Sequence, residues 1–336
     1  MNDYLALSGA PSIPGLGFRK FSGGSDFQQM AEVYNASVDA DQVEAVMTVA
    51  DVENSFAYMV NSDPYQDMVF AEMDGQVIGV VPCLWSFEEG TSNYHYRFFG
   101  CLAPAWRRKG IGQALLQWCE NRLRVISSAH PVDQAKFFDT FVFQNELGKA
   151  VMLEKNGYVP SRYYYEMLRP DLNGIPHYPL PEGLEIRPVL PEHYRLIWEA
   201  GIEAFLDHWG YVRPAEEYYQ LWLNNKNVFQ PQLWQVAWDI AKDQIAGQVR
   251  TFIIHEENEK YQRKSGYTEF VSVRSLWRRR GLAHALIACS LAAQKENGMT
   301  ASKLHVDTEN LSGAVRLYED CGFRIARRNT VYRKPL

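Results

Sequence analysis

Two short segments of the chain set glycine beside arginine in a pattern that suits phosphate chemistry. Trp106-Arg107-Arg108-Lys109-Gly110-Ile111-Gly112 and Trp277-Arg278-Arg279-Arg280-Gly281-Leu282-Ala283 each follow a strand-like run and each lead into an apolar helical stretch. Glycine at such a junction permits backbone conformations and close approaches that a Cβ would block. The first turn of the helix leaves its N–H groups unpaired, and the helix dipole adds partial positive charge. A turn built this way cradles a pyrophosphate. Arg108, Lys109, Arg279 and Arg280 add charge for further phosphates. Neither segment is a P-loop, because Gly-Lys-Ser/Thr is missing, and neither has the spacing or the acidic partner of a dinucleotide fingerprint.

The elements that must hold these turns recur as well. Asn145 to Tyr158 (NELGKAVMLEKNGY) and Asn310 to Phe323 (NLSGAVRLYEDCGF) form a second matched pair, with twelve residues from Asn to Gly in each. A third pair lies upstream, at 68–81 and 233–249: an apolar strand, a polar turn and another strand. Three segments repeating in order about 170 residues apart make a duplicated domain. In each copy the pattern predicts a strand, one or two helices, a strand hairpin, a long third strand, the glycine turn, a helix, a strand, a helix and final strands. Phe27–Val38 and Glu192–Phe205 have helical apolar spacing, whereas Phe137–Phe143 and Tyr267–Val273 are strand-like. The fold class is α/β (α+β), two tandem domains each with a mixed, mostly antiparallel sheet flanked by helices. The join is the stretch 170–183, with Pro170, Pro176, Pro179 and Pro181. The expected organisation is a tail at 1–17, domain 1 at 18–169, a Pro-rich linker at 170–183 and domain 2 at 184–336.

The 336 residues are 46% hydrophobic, enough for two cores, and the net charge of −6 excludes a general nucleic-acid footprint. Five cysteines without CxxC or metal-type spacing read as reduced thiols, and no metal site is expected. The N-terminus lacks a signal-peptide pattern and no apolar run approaches ~18 residues. A cytoplasmic protein that does not enter a membrane is expected, and the sequons at Asn35 and Asn310 are chance matches.

Both copies resemble the GCN5-related N-acetyltransferase (GNAT) superfamily, whose acetyl-CoA signature is (Gln/Arg)-x-x-Gly-x-(Gly/Ala). Arg107, Gly110 and Gly112 match it in copy one; Arg278, Gly281 and Ala283 match it in copy two. Asn310, Leu317, Tyr318, Gly322 and Phe323 match a second landmark of that superfamily. The tandem layout is similar to that of mycothiol synthases. The resemblance implies acetyl-CoA as cofactor and direct transfer of acetyl to a primary amine, with a small molecule as the acceptor. It implies that Val271, Ser272 and Val273 pair with the pantetheine arm, and that Arg278, Arg279, Arg280, Gly281, Leu282, Ala283 and His284 hold phosphates. Ala314 and Asn310 complete that set, Asn310 being equally suited to cap the following helix. The corresponding set in copy one is Arg107, Arg108, Lys109, Gly110, Ile111, Gly112 and Asn145.

The superfamily's base lies on the strand before the glycine turn, and its acid is a tyrosine in the later helix. Copy two has Glu269 and Tyr318 there; copy one has Phe98 and Leu153. Copy two is therefore the expected catalytic copy. Glu269 shares strand parity with Val271 and Val273 unless a bulge shifts the face. Tyr318 also fits a core position, and Cys321 has no histidine partner by spacing. His95 and His255 have no partner by spacing and read as surface or structural. Asp207, His208, Trp209 and Tyr211 fall where this superfamily borders its acceptor pocket, although ordinary packing is the preferred reading of them. The competing reading is a catalytically silent acyl-CoA-binding protein, and the chain would act as a monomer (an internal pseudo-dimer) or as a homodimer.

Overall fold

Each glycine turn is a left-handed N-cap that converts a strand into a helix. Gly110 has φ +87° ahead of α4 (Ile111–Ser127), and Gly281 has φ +85° ahead of α9 (Leu282–Glu296). In α4, Ile111, Ala114, Leu115, Cys119 and Leu123 recur at helical spacing and are all buried against the sheet. In α9 the same job falls to Leu282, Leu286, Ile287 and Leu291.

The computed structural model describes residues 4–206, 210–309 and 313–336, and the chain divides into two compact units. Unit 1 comprises Met1–Arg162 together with Asn329–Leu336. Its strands are β1 (Leu16–Arg19), β2 (Met68–Met73), β3 (Gln76–Glu88), β4 (Asn93–Phe98), β5 (Cys101–Leu102) and β6 (Lys136–Val142). Its helices, besides α4, are α1 (Asp26–Ala40), α2 (Val49–Ala57), α3 (Pro64–Asp67) and α5 (Leu147–Lys155). Unit 2, Tyr163–Arg328, holds most of β7 (Val159–Arg169) and then β8 (Leu184–Ile186), β9 (Gln235–Asp239), β10 (Gln244–Phe252), β11 (Ser265–Val273) and β12 (Ala301–Asp307). Its helices, besides α9, are α6 (Tyr194–Phe205), α7 (Glu216–Asn224), α8 (His255–Lys260) and α10 (Ala314–Asp320). The last strand is β13 (Arg324–Pro335).

In both units the sheet is antiparallel except for one parallel pair, β4 with β6 and β11 with β12. The parallel pair lies directly after the glycine-turn helix, which serves as its crossover. Two tandem GNAT-type folds with mixed sheets are thus present.

The units do not end where the sequence repeat ends. Residues Tyr164–Arg169 of β7 pair with β12 in unit 2, and Thr330–Pro335 of β13 pair with β6 in unit 1. Each sheet is completed by the last strand of the other copy, so the units differ from the expected spans 18–169 and 184–336. The alternation of a strand specifies a buried face but not a partner, which is why the repeat pattern points to the wrong closing strand. Two further boundaries differ. The N-terminal segment is packed, with Leu7 buried and Leu5, Ala10 and Ile13 against the unit 1 core. The proline-rich stretch is also packed: Leu172 is buried and Ile175, Tyr178 and Leu180 lie against the unit 2 core.

Charge holds the C-terminal strand in unit 1. Arg333 Nε donates to Asp139 Oδ1 (2.8 Å), and His95 is held between Asp139 (2.8 Å from Nδ1) and Glu88 (2.9 Å from Nε2). Lys334 reaches Glu120 at 2.9 Å, and the Tyr332 hydroxyl donates to Glu154 at 2.9 Å. His95 is a structural residue, as expected, but a buried one with two carboxylate partners. Burial alone would raise the Asp139 pKa, but the hydrogen bonds and charges of His95 and Arg333 outweigh it and hold it below its ordinary 3.8. A depressed folded-state pKa stabilises the fold fully above the unfolded value and ceases to do so as pH falls through the folded one. Arg333→Met should lower the unfolding free energy by about 3–5 kcal/mol at pH 7, because it leaves a buried carboxylate without its cation. Urea denaturation at pH 7 and near pH 3 checks this, with the wild-type advantage shrinking at the lower pH.

Candidate active site

In unit 2 the strand leading to the glycine turn is irregular. Gln248 of β10 faces Ser272 and Arg250 faces Glu269, so two steps along β10 match three along β11. Phe270 and Val271 together oppose Val249, and Phe270 takes φ +50°, a left-handed conformation rare for a bulky residue. The extra residue reverses the face of everything after it. Gln248 and Arg250 both reach the Ile197 carbonyl of α6, so Glu269 and Ser272, their partners, share that face. Val271 and Val273 pack instead on the core that contains α9. The parity expected between Glu269, Val271 and Val273 is therefore broken by the bulge.

Glu269 has a partner that the repeat comparison did not single out. Its Oε1 accepts from His305 Nδ1 at 2.8 Å and from the His305 backbone N–H at 2.9 Å. Half of the His305 side chain is exposed, and the Glu269 side chain is mostly covered. Desolvation works against charge on His305, but the hydrogen bond and charge of Glu269, with Glu166 adding to them, raise its pKa above the ordinary 6.5. The two side chains form one hydrogen-bonded carboxylate–imidazole pair across β11 and β12. Only the parallel pairing of β11 with β12 brings them together, and no local spacing in KLHVD announces it.

Tyr318 lies in α10 within the unit 2 core, edge-on to Phe323 at 6.1 Å. Burial raises its pKa, and the charge of Glu269 raises it further, followed by Cys321. Glu269 and Tyr318, 49 positions apart in the chain, are thus close enough to interact electrostatically. A phenol in this setting keeps its proton at neutral pH and can donate it. Cys321 is buried and its thiol is pushed up to about 12 despite Arg169, which leaves a poor nucleophile at neutral pH.

The glycine turn of unit 2 fits a coenzyme A pyrophosphate. A Cβ on Gly281 would meet nothing within 4 Å, so the space above the helix N-terminus is open. Arg279 and Arg280 are exposed there, Arg279 at φ +64°, and the first-turn residues Leu282, Ala283 and His284 supply helix-terminal N–H groups. Arg278 turns inward: Nε donates to the Val273 carbonyl (3.0 Å) and Nη2 to the Ala204 carbonyl (2.9 Å). Its counterpart Arg107 does the same, clasping Asp41 at 2.7 and 2.8 Å and the Leu102 carbonyl at 3.0 Å. Both signature arginines brace the turn through their guanidinium groups. Ala314 is buried at the start of α10, whereas Asn310 lies outside the described residues, as do Asp207, His208 and Trp209.

Unit 1 keeps the cradle and has apolar side chains at the positions of Glu269 and Tyr318. A cavity of about 550 Å³ runs from Arg108, Gly110 and Gly112 past Gly100 to Asn145 and Met152. Arg108 takes φ +59°, Lys109 lies 4.7 Å over the Trp106 ring, and Ile111 is buried. Pro11 stands 3.6 Å from where a Gly110 Cβ would be, and Asn145 Nδ2 is engaged by the Asp41 carbonyl at 3.0 Å. Phe98 and Leu153, opposite numbers of Glu269 and Tyr318, are core residues at 5% and 0% exposure. Among the described residues no cluster of ligating side chains suits a metal, and no helix is long and apolar enough to cross a membrane.

Two family models match in tandem: an acetyltransferase (GNAT) domain at residues 64–160 and the acetyltransferase (GNAT) family at residues 192–323. The chain is 26% identical over 271 residues to a mycothiol acetyltransferase of Geodermatophilus obscurus, covering 77% of this chain and 79% of that protein. It is 46% identical over 65 residues, 19% of its length and 22% of the other's, to the chloroplastic GCN5-related N-acetyltransferase 4 of Arabidopsis thaliana. In fold it is similar to a GCN5-related N-acetyltransferase from Sphaerobacter thermophilus, with TM-score 0.69, 23% identity and 96% of both chains covered. A tandem GNAT protein from the clavulanic acid biosynthesis pathway matches with TM-score 0.66 and 15% identity over 95% of this chain and 98% of that one. With GNAT models matching in both halves and the cradle present in both units, the chain belongs to the GNAT acetyltransferase family, an acyltransferase whose cofactor is acetyl-CoA.

Proposed function

We propose that unit 2 transfers the acetyl group of acetyl-CoA to a primary amine of a small molecule by direct attack. The observation that carries this reading is the pairing of a carboxylate–imidazole unit, Glu269 with His305, and a protonated phenol, Tyr318, near the β11 bulge that precedes the open glycine turn. Acetyl-CoA, when bound, supplies an acyl group already activated as a thioester. Glu269 and His305 take the proton of the incoming ammonium group, directly or through water, so that the amine lone pair is free. The bulge at Phe270 and Val271 interrupts the regular ladder of β11 with β10, which offers backbone N–H groups to a carbonyl oxygen. Tyr318 gives its proton to the departing sulfur. Holding the two reactants together does most of the work.

The small-molecule acceptor is supported by the relative named for mycothiol and by the layout it shares with this chain. A silent acyl-CoA-binding role suits unit 1, whose Phe98 and Leu153 can neither take nor give a proton, and is not favoured for unit 2. Val271, Ser272 and Val273 remain our assignment for the pantetheine arm, with Ser272 on the face of Glu269, and Ala314 remains assigned to the cofactor.

Glu269→Gln and Tyr318→Phe should each lower kcat by about 10²-fold, the scale of acid–base assistance, at saturating acetyl-CoA. Thiol release followed with a chromogenic disulfide measures this, and turnover within a few-fold of wild type in both variants removes the assignment. The pH profile tests the Glu269–His305 unit separately. The raised His305 pKa predicts that kcat/KM falls as pH drops through a value above 6.5, where the imidazole gains its proton. His305→Gln should remove that limb, because the group with the raised pKa is gone.

A further inference from the structure

The guanidinium of Arg250, a β10 residue only 3% exposed, meets no carboxylate among the described residues. Nε donates to Gln248 Oε1 at 3.1 Å and Nη2 to the Ile197 carbonyl at 3.3 Å. Aromatic rings supply the other walls: Trp222 at 4.5 Å, Phe270 at 5.1 Å and Trp198 at 5.7 Å from the guanidinium carbon. Trp222 Nε1 is itself buried and donates to nothing among the described residues. Desolvation pulls the Arg250 pKa down to about 9, the mark of a cation without compensation. The equally buried Arg19 of unit 1 shows the ordinary solution, two carboxylates from Asp26 and Glu72. An unpaired buried charge is costly, and such groups concentrate where function requires them.

Its position is informative. Arg250 is the direct cross-strand partner of Glu269, on the same face of the sheet, towards α6 and α7. Helix α6 has Gly201 against it, where a Cβ would come within 2.9 Å of Nη2, so this helix makes room for the guanidinium. Phe270, held at positive φ by the bulge, extends over the same group. A donor-rich, aromatic-walled cation one strand from the proton acceptor matches a molecule that carries an amine and a carboxylate close together.

We infer that Arg250 anchors the carboxylate of the acceptor, and that the acceptor is an amino acid or a close analogue whose amine is thereby presented to Glu269. This inference rests on the transfer reading above and narrows its substrate class. The planar fork of arginine binds a carboxylate through two parallel hydrogen bonds, and the apolar walls strengthen that pairing by excluding water. A site built for such a group discriminates strongly against the analogue lacking it.

The test compares the standard amino acids with descarboxylated partners, phenylalanine with phenethylamine and leucine with isoamylamine among them. Thiol release from acetyl-CoA and calorimetric binding are read for wild type, Arg250→Met, Arg250→Lys and Glu269→Gln. The expected result is a preference of about 10²-fold in kcat/KM for an amino acid over its amine. Arg250→Met should abolish that preference, mainly through KM, with melting temperature held or raised because an unpaired charge has been removed. Arg250→Lys, which keeps charge but not the fork, should fall between. Equal turnover of amino acid and amine by wild type, or a preference that survives in Arg250→Met, overturns the inference. If Arg250→Met melts far lower, the lysine variant decides: an unchanged preference there overturns it as well. Glu269→Gln separates the two claims, since it should lower turnover by about 10²-fold while amino acids still bind. If no amine releases thiol, the transfer reading fails and binding alone decides the anchor: it stands if Arg250 substitution removes amino-acid binding and falls if wild type binds none.

Discussion

One extra residue in β11 organises the unit to which we assign catalysis. The bulge at Phe270 and Val271 lets Glu269 face α6 and α7 while the following valines pack on the core, and it holds Phe270 in a conformation that a regular ladder would not admit. Without it, Glu269 and Ser272 would lie on opposite faces. Glu269 would then have to give up either its position opposite Arg250 or the regular approach of the strand to the glycine turn. Strain of this kind, of order 1–3 kcal/mol, persists where the surrounding structure over-determines it. Here the determinants are the pairing of β11 on both sides and the hydrogen bonds from His305 to Glu269.

The two units show what duplication can release. Both keep a left-handed glycine at the helix N-cap and an inward arginine that braces the turn, so the frame for a pyrophosphate is common to them. They part at the reacting end. In unit 1 hydrocarbon fills the positions of base and acid, and each such side chain contributes about 1.5–3 kcal/mol by its burial. In unit 2 the corresponding positions carry a carboxylate and a buried phenol, and close by stands a buried guanidinium, groups that stabilise a fold poorly on their own account. The exchange of closing strands lets each unit depend on the other copy's sequence, and the Arg333–Asp139–His95–Glu88 network secures that arrangement in unit 1.

What was legible in the sequence is what local backbone chemistry dictates. Gly110 and Gly281, the repeat, the helices behind them and the contrast of Glu269 and Tyr318 with Phe98 and Leu153 could all be read from residue type and spacing. The bulge could be suspected but not placed, because a bulge is decided by two strands together. His305 was missed because its contact with Glu269 depends on a parallel pairing between residues 36 positions apart. Arg250 was missed for a related reason: a single arginine in a strand reads as solvated until both helices that bury it are in place. That the signature arginines reach backbone carbonyls was not legible either, since a charge beside a phosphate turn does not announce which backbone groups it meets. The closing strands were assigned to the wrong units because alternation carries no address.

The account stands or falls on unit 2 being the catalytic one. The most direct measurement is acetyl-CoA-dependent thiol release by Gly281→Glu, with its fold checked by thermal melting. That substitution places a carboxylate in the open space above the α9 N-terminus and repels a pyrophosphate there. Thiol release should be lost in a protein that still melts cooperatively near the wild-type temperature. Turnover at the wild-type rate would contradict the account and move the chemistry to unit 1.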